Sequence, residues 1–322
     1  MKVENISRVV VFGAGVMGVG IAQSFAQAGL SVNLVDQGAG ILDQAVSQIA
    51  SNLRLFMEYD LLSEDPESIQ SRIVTYASNH FDKAIVGCDF VVESISESLD
   101  LKRTLFGQLD SLPENIVLTS NTSSLTISAI AEGMRSAFRV AGLHYFNPAH
   151  IIPAVEIHRG RNTSEHALNL TRQLMLRVGK DPVLVRKEIS GCIINRLQGA
   201  MEREIDYLLD EGIVTPEELD VAVKASYGFR LSCLGPMEAE DIIGLDLAAR
   251  VSARIFKLLS NRTEPSPMLL EKVKKGEIGV KSGRGWYDYT GRSREEIADN
   301  VNRRLVRQLA LYQARQEENP GI

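Results

Sequence analysis

The stretch Arg8-Val-Val-Val-Phe-Gly-Ala-Gly-Val-Met-Gly-Val-Gly-Ile-Ala22 decides the fold. Arg8 to Phe12 is a short β-branched run. It enters Gly13-x-Gly15-x-x-Gly18, after which Ile21, Ala22, Phe25 and Ala28 recur at helical spacing. A run of glycines means little alone, but glycines between a strand and a helix form a turn that cradles phosphate. Gly13 permits the tight turn, Gly15 lets backbone approach a pyrophosphate, and Gly18 lets the helix sit close on the strand. The helix N-terminus, with Val16 and Met17 in its first turn, then offers unpaired amide donors and a partial positive charge.

Working outward, Ser31-Val-Asn-Leu-Val-Asp36 is a second strand ending in a carboxylate, where ribose hydroxyls would be bound. Asp36 would repel a 2′-phosphate, and Gln37-Gly38 offers no arginine to hold one, so NAD is expected rather than NADP. Further strands are expected at 73–77, 90–93, 116–120, 139–144 and 153–158, separated by helical segments. Such alternation predicts an α/β fold, a doubly wound Rossmann-type sheet, followed here by a smaller all-α domain. Ligands of these sheets bind beyond the carboxyl ends of the strands, where Glu93, Asn121, Ser123 and His144 fall. Glu97 and Lys102 lie near the same edge. They are either contacts to the nicotinamide ribose or a solvated ion pair at a helix start.

His144 and Glu156 are equidistant from His150, so a hairpin-like return between 139–144 and 153–158 would set them opposite each other. An imidazole with an ordinary pKa of about 6.5 takes a hydroxyl proton at neutral pH. A carboxylate on its far nitrogen fixes the tautomer and stabilises the imidazolium. Proton removal of that kind, beside a dinucleotide site, is what hydride transfer from a carbinol carbon requires.

Past Arg186 the alternation ends and helices dominate, which places a domain boundary between an NAD-binding domain at 1–186 and a helical domain at 187–322. The segment 192–211 carries Ile193, Ile194, Leu197, Met201, Ile205 and Leu208 on one helical face. Thr215-Pro-Glu-Glu218 is a capping box with proline at the first helical position. Residues 237–259 are expected to form another long helix.

The composition excludes other classes. With 41 acidic and 35 basic residues among 322, the net charge is −6, which offers no footprint for nucleic acid. Cys88, Cys192 and Cys233 share no CxxC spacing, so neither disulfides nor a metal site is expected, and the compartment is expected to be reducing. No apolar run approaches the roughly 20 residues needed to span a bilayer, and no cleavable signal is evident, so a soluble, cytoplasmic protein is expected.

Together Gly13-x-Gly15-x-x-Gly18, Val92-Glu93, Ser120-Asn-Thr-Ser-Ser124, Gly142-Leu-His-x-Phe-Asn-Pro148, Val155-Glu156 and Asn195-Arg-Leu197 resemble the 3-hydroxyacyl-CoA dehydrogenase family, in order and across most of the chain. The resemblance implies that His144 is the base, Glu156 its partner, Ser123 the substrate-binding serine and Asn195 a second polar contact. It also implies that Glu97 and Lys102 are cofactor contacts and that the helical domain forms a homodimer. Family members using coenzyme A usually carry a lysine-rich helix where this chain has none from Val9 through Leu53 and then only Arg54.

The chain is similar instead to the branch that oxidises free hydroxy acids, the L-gulonate 3-dehydrogenase and lambda-crystallin-like proteins. Asn147-Pro-Ala-His-Ile-Ile-Pro153 also looks like a member acting on a pyridine carboxylate. Arg230, in the apolar stretch 228–236, would then either clamp the carboxylate of a small 3-hydroxy acid or pair internally with Glu238 or Asp241. A (3S)-3-hydroxyacyl-CoA remains the alternative substrate. Hydroxyacid dehydrogenases that open on a similar glycine pattern but use a catalytic lysine are a second alternative.

Overall fold

Short apolar runs and amphipathic segments alternate through the first half of the chain and fold as that alternation predicts. In the computed structural model, which describes residues 1–318, the order is β1 (Arg8–Phe12), α1 (Val16–Gln27), β2 (Ser31–Asp36), α2 (Ala39–Glu58), α3 (Pro66–Ser71), β3 (Ile73–Ala77), α4 (Phe81–Ala84) and β4 (Phe90–Glu93). There follow α5 (Leu99–Leu109), β5 (Val117–Ser120), α6 (Ile127–Ile130), β6 (Val140–Tyr145), β7 (Ala154–His158), α7 (Glu165–Arg177) and β8 (Asp181–Val185). The strands form one sheet in the order β3-β2-β1-β4-β5-β6-β7-β8. The first six are parallel, β7 runs antiparallel to β6, and β8 parallels β7. The strand order reverses between β1 and β4, which is where doubly wound sheets bind ligands.

Both faces of the sheet are covered. Val9 and Val11 of β1 bury in one core with Ile21, Phe25 and Leu174, while Val10 and Phe12 bury in the other with Phe106, Leu109 and Leu118. This two-sided burial explains why β1 is a continuous apolar run rather than an alternating one. Each such side chain stabilises the fold by about 1.5–3 kcal/mol. β8 was not expected from the sequence. Pro182 lacks a ladder donor and argues against a strand, yet it is tolerated because β8 closes the sheet at its edge.

The helical elements are α8 (Ile193–Asp210), α9 (Pro216–Ala225), α10 (Tyr227–Leu231), α11 (Pro236–Ile243), α12 (Leu245–Ile255), α13 (Pro267–Lys274) and α14 (Arg294–Glu318). Helix α9 starts on the expected capping box, Thr215 and Glu218 each accepting from the other's amide. The long helix expected over 237–259 is instead broken into α11 and α12 by Gly244, whose φ of 100° no helix permits.

By contacts the chain divides into Ile194–Asn302 and a unit comprising Met1–Ile193 with the chain from Arg303 onward. The contact boundary thus lies at 193/194, at the start of α8, a few residues beyond the expected 186/187. The later part of α14 also counts with the first unit, because Val306 and Leu309 bury against Leu55, Phe56 and Ile151. Among the described residues from 194 to 302, Leu209, Ser266 and Gly285 are the buried ones. The apolar faces of α8, α11 and α12, including Leu197, Ile242, Leu245 and Val251, are exposed.

Candidate active site

The turn between β1 and α1 is built from its glycines. Gly13 has φ 101°, and a Cβ there would lie 2.3 Å from the Ser94 carbonyl oxygen. A Cβ on Gly18 would lie 1.7 Å from the Gly13 carbonyl oxygen, so no side chain fits where the helix meets the turn. A Cβ on Gly15 would meet nothing within 4 Å, which leaves the backbone there open to a ligand. No side chain caps the α1 N-terminus, Val16 is exposed, and Met17 packs partly into the core. Asp36 accepts from the Ala14 amide at 2.7 Å and from its neighbour Gln37, which ties the end of β2 to the glycine turn. These features fit a dinucleotide: a donor-rich, uncapped helix end for phosphates and a carboxylate for ribose hydroxyls.

At the ends of β4 and β5 a buried network takes over. Glu93 accepts from Lys102 Nζ at 2.6 Å, from Ser120 Oγ at 2.5 Å and from the Ile95 amide at 2.8 Å. Neither the Glu93 nor the Lys102 side chain has any exposed surface. Burial pushes the Glu93 carboxyl up, and the Lys102 ammonium opposes that shift. Lys102 also lies 3.3 Å from Glu97, whose side chain is 35% exposed. Glu97 in turn accepts from Thr122 Oγ1, Ser124 Oγ and the amides of Ser123 and Ser124. Its partial burial would raise its pKa, but these bonds and Lys102 outweigh burial and hold it at about 2. The Glu97–Lys102 ion pair thus forms, with its lysine end buried rather than solvated. Glu93 and Lys102 act from beneath the surface, and Glu97 clamps the loop 122–124.

That loop is joined to the base by Asn121. Its amide donates to the Glu93 carbonyl at 2.7 Å, and its side-chain oxygen accepts from the Tyr145 amide at 2.8 Å, one residue past His144. Ser123 is exposed, and its hydroxyl has no protein partner among the described residues.

His144 and Glu156 stand directly opposite in the β6–β7 register. The Nδ1 of His144 lies 3.2 Å from Glu156 Oε2, both residues being buried. Because an ionised carboxylate only accepts, Nδ1 carries the proton and Nε2 keeps its lone pair. The ring also packs edge-on against Phe146, centroids 4.8 Å apart.

Two partners of Glu156 escape a reading by sequence position. His158 Nε2 lies 3.1 Å from the same Oε2, and the Ile193 amide donates to Oε1 at 3.1 Å. His158 could have been found from strand periodicity, since residues two apart share a face. Cys192 had no such signal. It is buried, with φ 49°, and its Sγ approaches the Ser123 carbonyl oxygen at 3.5 Å. Burial, with Glu156 and Glu97 nearby, pushes its thiol up to about 12.

Asn195 lies in the first turn of α8, within the second unit. Arg230 lies on α10 and is exposed. Among the described residues its guanidinium makes no ion pair with Glu238 or Asp241, so the expected internal pair is absent. An exposed guanidinium keeps its hydration and needs no internal partner.

The site thus holds a proton acceptor with a fixed tautomer, the Ser123 hydroxyl on an adjacent loop and a dinucleotide-shaped turn on the same sheet. Residues 8–189 match the family profile described as 3-hydroxyacyl-CoA dehydrogenase, NAD binding domain, and residues 191–289 match 3-hydroxyacyl-CoA dehydrogenase, C-terminal domain. A 5-formyl-3-hydroxy-2-methylpyridine 4-carboxylate 5-dehydrogenase from Mesorhizobium japonicum is 30% identical over 97% of this chain and all of its own length. A crystal structure of such an enzyme, described as an NAD+ dependent dismutase, superposes with a TM-score of 0.88 at 29% identity, covering 96% of this chain and 99% of the other. The (S)-3-hydroxybutyryl-CoA dehydrogenase of Ralstonia eutropha superposes with a TM-score of 0.72 at 34% identity, covering 89% and 100%.

Proposed function

The chain belongs to the 3-hydroxyacyl-CoA dehydrogenase family, and from that premise we propose that it oxidises the 3-hydroxyl of a small free carboxylic acid to the 3-keto compound. It is an NAD-dependent oxidoreductase. The observation that carries the catalytic assignment is the His144–Glu156 contact at 3.2 Å, across paired strands at the carboxyl end of the parallel sheet.

NAD, when bound, supplies the hydride acceptor. Gly13, Gly15, Gly18 and the first amides of α1, with Val16 and Met17, hold its phosphates, and Asp36 takes a ribose. Glu97 and Asn121 serve the nicotinamide half, and Glu93 and Lys102 support them from within. Ser123 donates to the oxygen of the reacting carbinol, and Asn195 supplies a second polar contact. His144 Nε2 removes the hydroxyl proton, and Glu156 compensates the positive charge that the ring acquires.

Two observations favour a free acid over a thioester. Coenzyme A carries several phosphate charges, whereas α2 has Arg54 as its single cation among 20 residues. The Mesorhizobium relative, matched over 97% of this chain, acts, by its name, on a pyridine carboxylate. Arg230 is then assigned to the carboxylate. The thioester reading is favoured by the likeness to the Ralstonia enzyme. We also propose a homodimer, supported by the exposed apolar faces of α8, α11 and α12.

The test is NADH formation with 3-hydroxybutyrate, L-gulonate and carnitine against 3-hydroxybutyryl-CoA. A higher kcat/KM on a free acid is expected, and a preference for the thioester would reverse the substrate assignment. Arg230→Met is expected to raise KM for the acid about 10- to 100-fold, the loss of one charged hydrogen-bonded contact. An unchanged KM would remove Arg230 from the site.

A further inference from the structure

Four side chains of metal-ligating type converge behind the catalytic imidazole. One ligand atom each from His144, Glu156, His158 and Cys192 lies within 4.8 Å of the other three, and all four residues are buried. They come from β6, β7 and the residue before α8, all within the first unit. The NAD-dependent reaction uses only His144 and Glu156 of this set.

We propose that these four residues bind one thiophilic divalent transition metal, for which Zn2+ is the natural candidate, and that its occupancy shuts off the base. Two imidazoles, a carboxylate and a thiolate are a donor set that zinc takes tetrahedrally and that magnesium and calcium do not. Bonds of about 2.0–2.3 Å place neighbouring ligand atoms about 3.3–3.8 Å apart in a tetrahedron. Two of the contacts are already 3.2 Å and 3.1 Å, so only the wider ones must contract. Neutral imidazoles add no charge, and one carboxylate and one thiolate cancel the dication, so the filled site is neutral in its buried setting.

The protons balance as follows. Without metal, His144 Nδ1–H and His158 Nε2–H both donate to Glu156 Oε2, and Cys192 is a thiol. On binding, each imidazole gives up the proton that faces the carboxylate and carries one on its other nitrogen, while Cys192 releases one proton to solvent. His144 then bears its proton on Nε2, the atom that must accept the substrate hydroxyl proton, and oxidation stops. The binding site does not depend on the dehydrogenase assignment; the inhibition does.

The experiment uses the full chain carrying Cys233→Ser, which removes the exposed thiol. Titration with Co2+ is expected to give, at one equivalent, a thiolate-to-cobalt charge-transfer band in the near ultraviolet with strong four-coordinate visible bands. Zn2+ should bleach both. Adding Cys192→Ala should abolish the charge-transfer band, and a His158→Asn variant should weaken cobalt binding about tenfold or more. Zn2+ should suppress NADH formation in the parent, reversibly by chelator, and about tenfold less effectively in the Cys192→Ala protein relative to its own metal-free rate.

A parent without a charge-transfer band overturns the site whether or not the variants fold, and so does a band that survives Cys192→Ala. Cobalt binding with undiminished turnover overturns the switch alone. A protein that shows the band but oxidises neither a hydroxy acid nor its thioester keeps the site and removes the catalytic assignment on which the switch rests.

Discussion

At the scale of single residues, the proposed mechanism turns on the tautomer of His144. Because Glu156 fixes the proton on Nδ1, His144→Gln removes the acceptor and is expected to lower kcat about 10²- to 10⁴-fold with little change in NAD affinity. Near-normal turnover, followed as NADH absorbance, would favour a lysine-dependent mechanism. Lys102 matters for a different reason. It neutralises Glu93 where neither has exposed surface, so Lys102→Met leaves a buried charge unpaired and should cost about 3–5 kcal/mol in chemical denaturation. Glu97 predicts a pH effect. Its folded pKa, lowered to about 2 from the usual 4.5, means that its bonds to 122–124 stabilise fully above about pH 4.5 and fade as pH falls towards 2. The stability advantage of wild type over Glu97→Gln should therefore shrink across that window, and a gap independent of pH would discount the clamp.

At the scale of elements, the β1–α1 turn admits no side chain. Gly18→Ala puts a methyl group 1.7 Å from the Gly13 carbonyl oxygen, so the helix must retreat from the turn and NAD should bind at least about tenfold more weakly by fluorescence titration. Affinity within twofold of wild type would show that the turn yields freely. Most strands were legible in the sequence because β-branched runs ended at glycine or polar turns. β8 was hidden by Pro182, and the break at Gly244 by the apolar spacing that continues across it.

The site was legible to the same degree. His144 and Glu156 could be paired by counting outward from a turn, since strand register converts sequence distance into opposition. Cys192 lies 36 residues beyond Glu156 and reaches it through α7 and β8, a long-range closure that no local spacing encodes. The apolar neighbours of Arg230 in sequence do not bury it, because α10 exposes them: Phe229 and Leu231 are themselves exposed.

For the whole molecule, the sparse burial between 194 and 302 is its most consequential property. Helices with apolar faces and so few buried residues gain little from their own packing, and the proposed homodimer would supply the rest. Light scattering after gel filtration is expected to give twice the 35.5 kDa chain mass, with thermal stability that rises with protein concentration. A monodisperse monomer would leave those faces without an explanation.

The anchoring of α14 sets a timetable for biosynthesis. Leu55, Phe56 and Ile151 leave the ribosome early, but the residues that shield them, Val306 and Leu309, are translated about 150 codons after the last of the three. At roughly 5–20 residues per second the nascent first unit waits about 8–30 s with that apolar patch wet. Chaperone capture during this interval, ending once Leu309 clears the exit tunnel, is what this order of synthesis demands of the cell.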